Sequence, residues 1–246
     1  MKRVRADLHI HTVLSPCGDL DMSPARIVEE AVKKGIGIIG ITDHNSLKQA
    51  GVVEALAARQ GIFVLGGAEV TTKEEIHCLA FFPDQNTRTE FQTYIDNNQP
   101  FIRNKEHLFG YQVVVDEREN ILFHEEKLLL TALSRNIHEI ETEVHRLGGI
   151  FIPAHIDKAV NSIFSQLGFI PEHFSIDALE ISCFTTAVSA REKFNISDNI
   201  ALVKNSDAHY PGDIGKGLTD FMLSEISFEE IKLALAGKEG RTVSTG

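Results

Sequence analysis

Two histidines one residue apart, His9 and His11, sit in the stretch Ala6-Asp7-Leu8-His9-Ile10-His11, where polar side chains take every second position. In an extended strand this spacing puts Asp7, His9 and His11 on one face and Ala6, Leu8 and Ile10 on the other. Two neighbouring imidazoles are half of a metal site, but a pair alone equally suits hydrogen-bonded core histidines. Recurrence separates the two readings. Thr42-Asp43-His44 follows a second apolar run, Gly66-Gly67-Ala68-Glu69 ends a third, and His77 lies in a fourth. Pro153-Ala154-His155 ends a fifth run, and Ser206-Asp207-Ala208-His209 follows a seventh. Burying so many imidazoles and carboxylates together without a cation would leave charges unpaired, each at a cost of several kcal/mol, so the set predicts bound metal.

The elements that must position these residues are short apolar runs, at 4–9, 36–42, 62–70, 76–82, 150–155, 178–182 and 200–205, alternating with amphipathic stretches. That rhythm is an α/β domain of parallel strands, in which sites assemble at the C-terminal strand ends. Ser23 followed by Pro24 predicts a helix start and Gly35 its end; 47–59 reads as a second helix, and Ser227 with Glu230 has capping-box spacing before a last one. The rhythm breaks at 84–147, which is polar and helix-like, with a hairpin expected at 111–123 and a long helix at 125–147. We read 84–147 as an inserted cap beside the site and 1–83 with 148–246 as the main domain, because the stretch is too long for a simple connection. His107, His124, His138, His145 and His173 lack a strand-end context and read as solvated or packing residues.

Composition narrows the partners. The 246 residues carry 24 Lys and Arg against 35 Asp and Glu, a formal charge of −11. A broad electrostatic grip on long nucleic acid is not expected, although bound metal would create a local positive site. Cys17, Cys78 and Cys183 are odd in number and far apart, which predicts no disulfide framework and a reducing compartment; each reads as a bystander. Met1 to Arg5 is basic without a following apolar core, and no apolar run is long enough to span a bilayer. The expectation is a cytoplasmic protein without membrane partners.

Asp7-Leu8-His9-Ile10-His11-Thr12, Thr42-Asp43-His44, Gly67-Ala68-Glu69, His77, Ala154-His155 and Ser206-Asp207-Ala208-His209 together resemble the PHP (polymerase and histidinol phosphatase) family, in the family's order. The resemblance implies a distorted (β/α)7 barrel of PHP type with an inserted, mostly helical cap and three divalent metal ions, Zn, Mn or Fe, in its mouth. Carried over, His9, His11, Glu69 and Asp207 would hold one metal, with Glu69 bridging to a second held by His77 and His155. His44 and His209 would hold the third. Family members often add a histidine in the loop after the first strand; this sequence has none, and Asp19 is the nearest substitute. The absence of a fused polymerase domain resembles the stand-alone phosphoesterase type.

The expected chemistry is hydrolysis of a phosphate ester of a small molecule or nucleotide. A water bridging two metals, deprotonated near neutral pH, would attack phosphorus. Asp43, Glu69 and His209 are the candidates for direct catalytic work, Asp43 by orienting an imidazole or relaying a proton, and Lys158 is the candidate for holding substrate phosphate. The alternatives are a nuclease or nucleoside-bisphosphate phosphatase acting on short nucleic acids, and a protein that binds metal or phosphate without turnover. An amide-cleaving barrel would be expected to show a ligating lysine, which is not evident.

Overall fold

The computed structural model describes residues 1–172 and 174–245, so His173 lies outside the described residues. The chain begins with strand β1 (Lys2–Ile10), helix α1 (Pro24–Lys34), β2 (Ile38–Ile41), α2 (Ala50–Ala58), β3 (Phe63–Thr71) and β4 (His77–Phe81). Helix α1 starts where the Ser23 side chain accepts the Arg26 amide with Pro24 in the first turn, and stops at Gly35, whose φ of 63° is left-handed. Its buried Ile27, Val28 and Ala31 pack with Ala50, Val53 and Ala57 of α2 onto Ile39, Ile41 and Val64. This covering layer holds the first three strands in register.

The chain continues through α3 (Gln85–Asn98), α4 (Glu106–Phe109), β5 (Val113–Val115), β6 (Ile121–His124), α5 (Ile137–Arg146) and β7 (Ile150–Pro153). It ends with α6 (Ile163–Gln166), β8 (Leu179–Ile181), α7 (Ala187–Phe194), β9 (Leu202–Lys204), β10 (Thr219–Leu223), α8 (Phe228–Leu235) and β11 (Thr242–Ser244). One sheet runs in the order β11-β10-β1-β2-β3-β4-β7, and β8 pairs with β9. Backbone bonds from Asp177 to Phe151 and from Ile156 to Glu180 join β7 to β8, while Ala208 bonds to His9 and His11 beyond β9. The sheet therefore curls and the β8–β9 pair fills the gap to β1, giving the distorted (β/α)7 barrel of PHP type. Its interior is packed by Leu8, Ile38, Leu65, Leu79, Ile152 and Val203.

Two strands depart from the parallel pattern expected from sequence: β10, which lies antiparallel beside β1, and β4. β4 runs antiparallel to both β3 and β7, whereas β1, β2 and β3 are mutually parallel. Only Thr72 to Ile76 join β3 to β4, too few residues for a crossover helix, so the chain returns as a hairpin.

The 84–147 stretch, expected as a mostly helical cap, divides in two. Helices α3 and α5 have reciprocal capping boxes, Asp84 with Thr87 and Asn136 with Glu139, and their apolar faces, Phe91, Ile95, Ile137, Ile140 and Val144, pack with Cys78, Ala80 and Phe151. They belong to the barrel's outer layer. Residues 99–136, with α4 and the β5–β6 hairpin, stand beyond it. The helix expected over 125–147 begins only at Ile137, because Leu128, Leu129 and Leu133 are buried anchors of an irregular segment. Buried amides fasten that segment: Gln49 exchanges two bonds with the Val115 backbone, and Asn45 donates to the Leu129 and Thr131 carbonyls. Among the described residues no helix is long and apolar enough to cross a membrane.

Candidate metal centre

His9 and His11 are fully buried, and their Nε2 atoms lie 3.2 Å apart. The other ring nitrogens fix the protons. Nδ1 of His9 is 3.0 Å from Glu180 Oε1, and a carboxylate can only accept, so this nitrogen donates. Nδ1 of His11 is 2.9 Å from Ser15 Oγ, whose own proton goes to Asp43 Oδ1 at 2.7 Å, so this nitrogen donates as well. When neutral, both rings would turn Nε2 lone pairs toward each other, and an opposing pair of lone pairs repels unless positive charge lies between them.

The carboxylates complete that arrangement. His9 Nε2 is 3.4 Å from Glu69 Oε1 and 3.4 Å from Asp207 Oδ1; His11 Nε2 is 3.4 Å from Glu69 Oε2 and 3.3 Å from Asp207 Oδ1. Ligand atoms on a tetrahedral cation with bonds of about 2.0–2.1 Å stand roughly 3.3 Å apart, so the spacing fits a divalent ion held by these residues. Glu69 faces further imidazoles: His77 Nδ1 at 2.9 Å and His155 Nε2 at 3.0 Å from Oε1, and His44 Nδ1 at 3.1 Å from Oε2. Nδ1 of both His44 and His155 is buried without a hydrogen bond; in His44 this is the nitrogen that faces Glu69, whereas His155 faces Glu69 through Nε2. Reversal of β4 explains His77. It opens that strand instead of following it, and thereby reaches the same mouth that the other strands reach with their C-terminal ends.

Backbone strain aims two of these side chains. His155 has φ of 29° and Asp207 φ of 52°, left-handed values that non-glycine residues seldom adopt outside functional sites. His209 Nδ1 is 2.9 Å from the Asp207 carbonyl, to which it must donate, leaving its Nε2 lone pair free. Lys158 forms an ion pair with Asp207 and remains partly exposed, so its ammonium stands at the mouth. The Asp19 amide bonds to the His209 carbonyl, but its carboxylate accepts from the Asp21 amide, and Asp19, like Asp207 and His155, is outside the groups of ligand atoms that lie within 4.8 Å of one another. Those groups are His9 with His11 and Glu69, His44 with Glu69 and His77, and His11 with Cys17, His44 and His209. Cys17, read from sequence as a bystander, lies in the last of these groups.

Asp43 sits beneath the centre. Its carboxylate accepts from the Thr12 amide, Thr12 Oγ1 and Ser15 Oγ, each at 2.7 Å, and so orients His11 through Ser15 while enclosed at 1% exposure. This position fits the orienting role expected of Asp43. Glu180 was missed in the sequence reading. Buried at 1% exposure, it also accepts from the His155 amide and the Asn205 side chain, tying β1, β7 and β9 to one carboxylate. Its signal was a lone acid in an apolar strand, which demands a partner. Asp7 shares the face of His9 but accepts the Ser206 and Gly215 amides instead, fastening the loop that carries Asp207.

The electrostatics agree with a seat for positive charge. Burial pulls both imidazolium ions down, yet Glu180, Asp207 and Glu69 hold His9 well above its ordinary range. For His11 the same opposition ends with Asp207 and Glu69 pushing it up to about 9. Burial would raise Glu69, but His77, His9 and His44 hold it well below the carboxylate range. Burial leaves His44 well below its usual range and brings His209 down to about 4, so both offer lone pairs near neutrality.

The comparisons with known proteins agree with the fold. YqxK of Bacillus subtilis is 26% identical over 276 aligned positions, which take in 99% of this chain and 64% of YqxK. The crystal structure of the lesion-specific endonuclease Q of Pyrococcus furiosus superimposes with a TM-score of 0.76 at 21% identity, over 98% of this chain and 58% of that one. Endonuclease Q bound to a 27-mer duplex with an abasic lesion at its active site gives a TM-score of 0.72. This chain thus spans less than two thirds of the length of these relatives. The PHP domain profile matches residues 7–168, which include His9, His11, His44, Glu69, His77 and His155, and the chain belongs to the PHP domain family.

Proposed function

We propose that this chain is a metal-dependent phosphoesterase that hydrolyses a phosphate ester of a small molecule or nucleotide. The observation that carries the proposal is the pair of Nε2 atoms of His9 and His11, 3.2 Å apart, turned toward each other and toward Glu69 and Asp207. His9, His11, Glu69 and Asp207 would hold one divalent ion, His77 and His155 with Glu69 a second, and His44 and His209 a third. When bound, these ions would supply Lewis acidity toward phosphate oxygens and toward the attacking water. The protein's own work is positioning. Glu180 and the Asp43–Ser15 pair lock the His9 and His11 tautomers, and Lys158 stands where it would pair with a phosphate oxygen. Chelation should bring hydrolysis of p-nitrophenyl phosphate to background and a divalent metal should restore it; undiminished turnover by chelated protein contradicts the proposal.

A second reading, cleavage of a nucleic-acid phosphodiester, is supported by the loop after β8. Asp157, next to Lys158, accepts from the Ser182 amide at 2.8 Å and from Ser182 Oγ and Thr185 Oγ1 at 2.6 Å. The fastened loop holds Phe184 at 92% exposure, a ring on which a base could stack. Likeness to endonuclease Q points the same way, against the expectation from net charge that long nucleic acid is no partner. Parallel assays with a nucleoside bisphosphate and a duplex containing an abasic site separate the readings, and Phe184→Ala should impair only the second.

A further inference from the structure

The loop between β1 and α1 brings a thiol to the cation cluster. Ligand atoms of Cys17, His11, His44 and His209 lie within 4.8 Å of one another. The loop is tightly wound: the Ser15 amide bonds to the Thr12 carbonyl and the Gly18 amide to the Ser15 carbonyl, while Asp19 bonds to His209. Gly18 permits this, since a Cβ there would lie 2.7 Å from the Thr12 oxygen. On the other side, Gly110 of the 99–136 segment approaches so closely that a Cβ would meet the Pro16 oxygen at 2.0 Å. The residues on either side of Cys17 are thus held in place, while Cys17 itself is exposed. Independently, His44 is 4% exposed and its Nδ1, though 3.1 Å from Glu69 Oε2, makes no hydrogen bond, and the His209 tautomer leaves Nε2 free.

We propose that Cys17, and not Asp19, supplies the loop ligand of the third cation, as a thiolate beside His44 and His209. The assignment rests on the metal-centre reading above. His11 belongs to the same group, but its Nε2 is 3.2–3.4 Å from His9, Glu69 and Asp207, and one lone pair binds one ion. Three protein ligands remain, which leaves coordination positions open to phosphate oxygens. On binding, the thiol proton passes to solvent and the sulfur lone pair forms the bond to the metal. Because thiolate is a soft donor, this site should favour zinc, cobalt or ferrous iron over manganese or magnesium, unlike the carboxylate-rich site beside it.

Cobalt tests the assignment by spectroscopy. Chelator-stripped protein reconstituted with Co²⁺ should show a near-ultraviolet sulfur-to-cobalt charge-transfer band that disappears in Cys17→Ser and persists in Cys183→Ser and Asp19→Asn. No band in the wild type, or a band that survives in Cys17→Ser, overturns the proposal. Alkylation is a second test that does not need the Cys17 variant to fold. Cys78 is buried, so in Cys183→Ser protein Cys17 is the reactive thiol, and Zn²⁺ should slow its reaction with iodoacetamide at least tenfold; an unchanged rate refutes the assignment. Both readouts are independent of turnover. A protein with the band but without hydrolysis would sink the phosphoesterase reading and leave the Cys17 assignment standing.

Discussion

Two clusters of histidines and carboxylates lie in this molecule, built from the same residue types to opposite ends. On the barrel's outer layer, Glu141 of α5 takes His138 Nδ1 at 3.0 Å on one oxygen and His145 Nδ1 at 2.7 Å on the other. His145 Nε2 reaches Asp177 Oδ2 at 2.9 Å, and that oxygen also accepts the Phe151 amide. Every close approach there is from ring nitrogen to carboxylate, and both nitrogens of His145 are spoken for. Sequence alone reads His138 and His145 as solvated or packing residues; Glu141 and Asp177 are their partners, and they close the network. In the mouth ring nitrogens also meet carboxylates, but there the Nε2 atoms of His9 and His11 face each other, and the buried Nδ1 atoms of His44 and His155 make no hydrogen bond. Whether the donors and acceptors are already matched, and not how many imidazoles gather, separates a clamp from a candidate metal centre.

The sharpest way to break this comparison is Glu69→Gln. Every carboxylate contact to His9, His11, His44, His77 and His155 through Glu69 weakens at once, so bound metal and hydrolysis should both fall to background while the circular dichroism spectrum is kept. Retained metal would place the centre elsewhere. Glu180→Gln should cost less, about 10–100-fold in metal affinity, because the carboxylate acts through His9 and not on the ion. A metal titration that cannot tell it from wild type would remove Glu180 from the account.

The pattern of sequence and structure follows the same division. β1 declared its histidines because period-two alternation ties side-chain direction to position, and Glu69, His155 and Asp207 were found because apolar strands end beside them. Strand direction was not readable at β4, since the four apolar residues after His77 present the same pattern either way. Glu180 stayed hidden in Leu179-Glu180-Ile181, where its partners come from residues 9, 155 and 205. Cys17 lies in a loop whose course is set by close backbone contacts, and spacing says nothing about where such a residue points. Leu128, Leu129 and Leu133 imitated a helix face while serving as anchors in an irregular segment.

Smaller effects should sharpen the contrast. Ser15→Ala removes the link between Asp43 and His11, leaving the His11 tautomer unfixed, and should weaken metal binding by about tenfold, the low end for such partners; calorimetry with Zn²⁺ measures it, and an unchanged affinity would show that the link is idle. His145→Ala should leave metal content untouched and cost about 1 kcal/mol of stability at mildly acidic pH, given its partial exposure. The Asp177 hydrogen bond leads in raising His145 above its ordinary range. A raised imidazole stabilises fully below its unfolded pKa of about 6.5 and loses that contribution as pH rises through the folded value. The difference in Tm between wild type and variant should therefore shrink on going from pH 5 to pH 9, and a difference that grows would have the sign wrong.

The most direct measurement of the central claim is elemental analysis of the protein after exhaustive dialysis, with Glu69→Gln and His145→Ala in parallel. We expect more than one divalent cation per chain in the wild type, the same content in His145→Ala and its loss in Glu69→Gln. A wild-type protein that dialyses free of metal and takes up none on addition of zinc, manganese or iron would contradict the account.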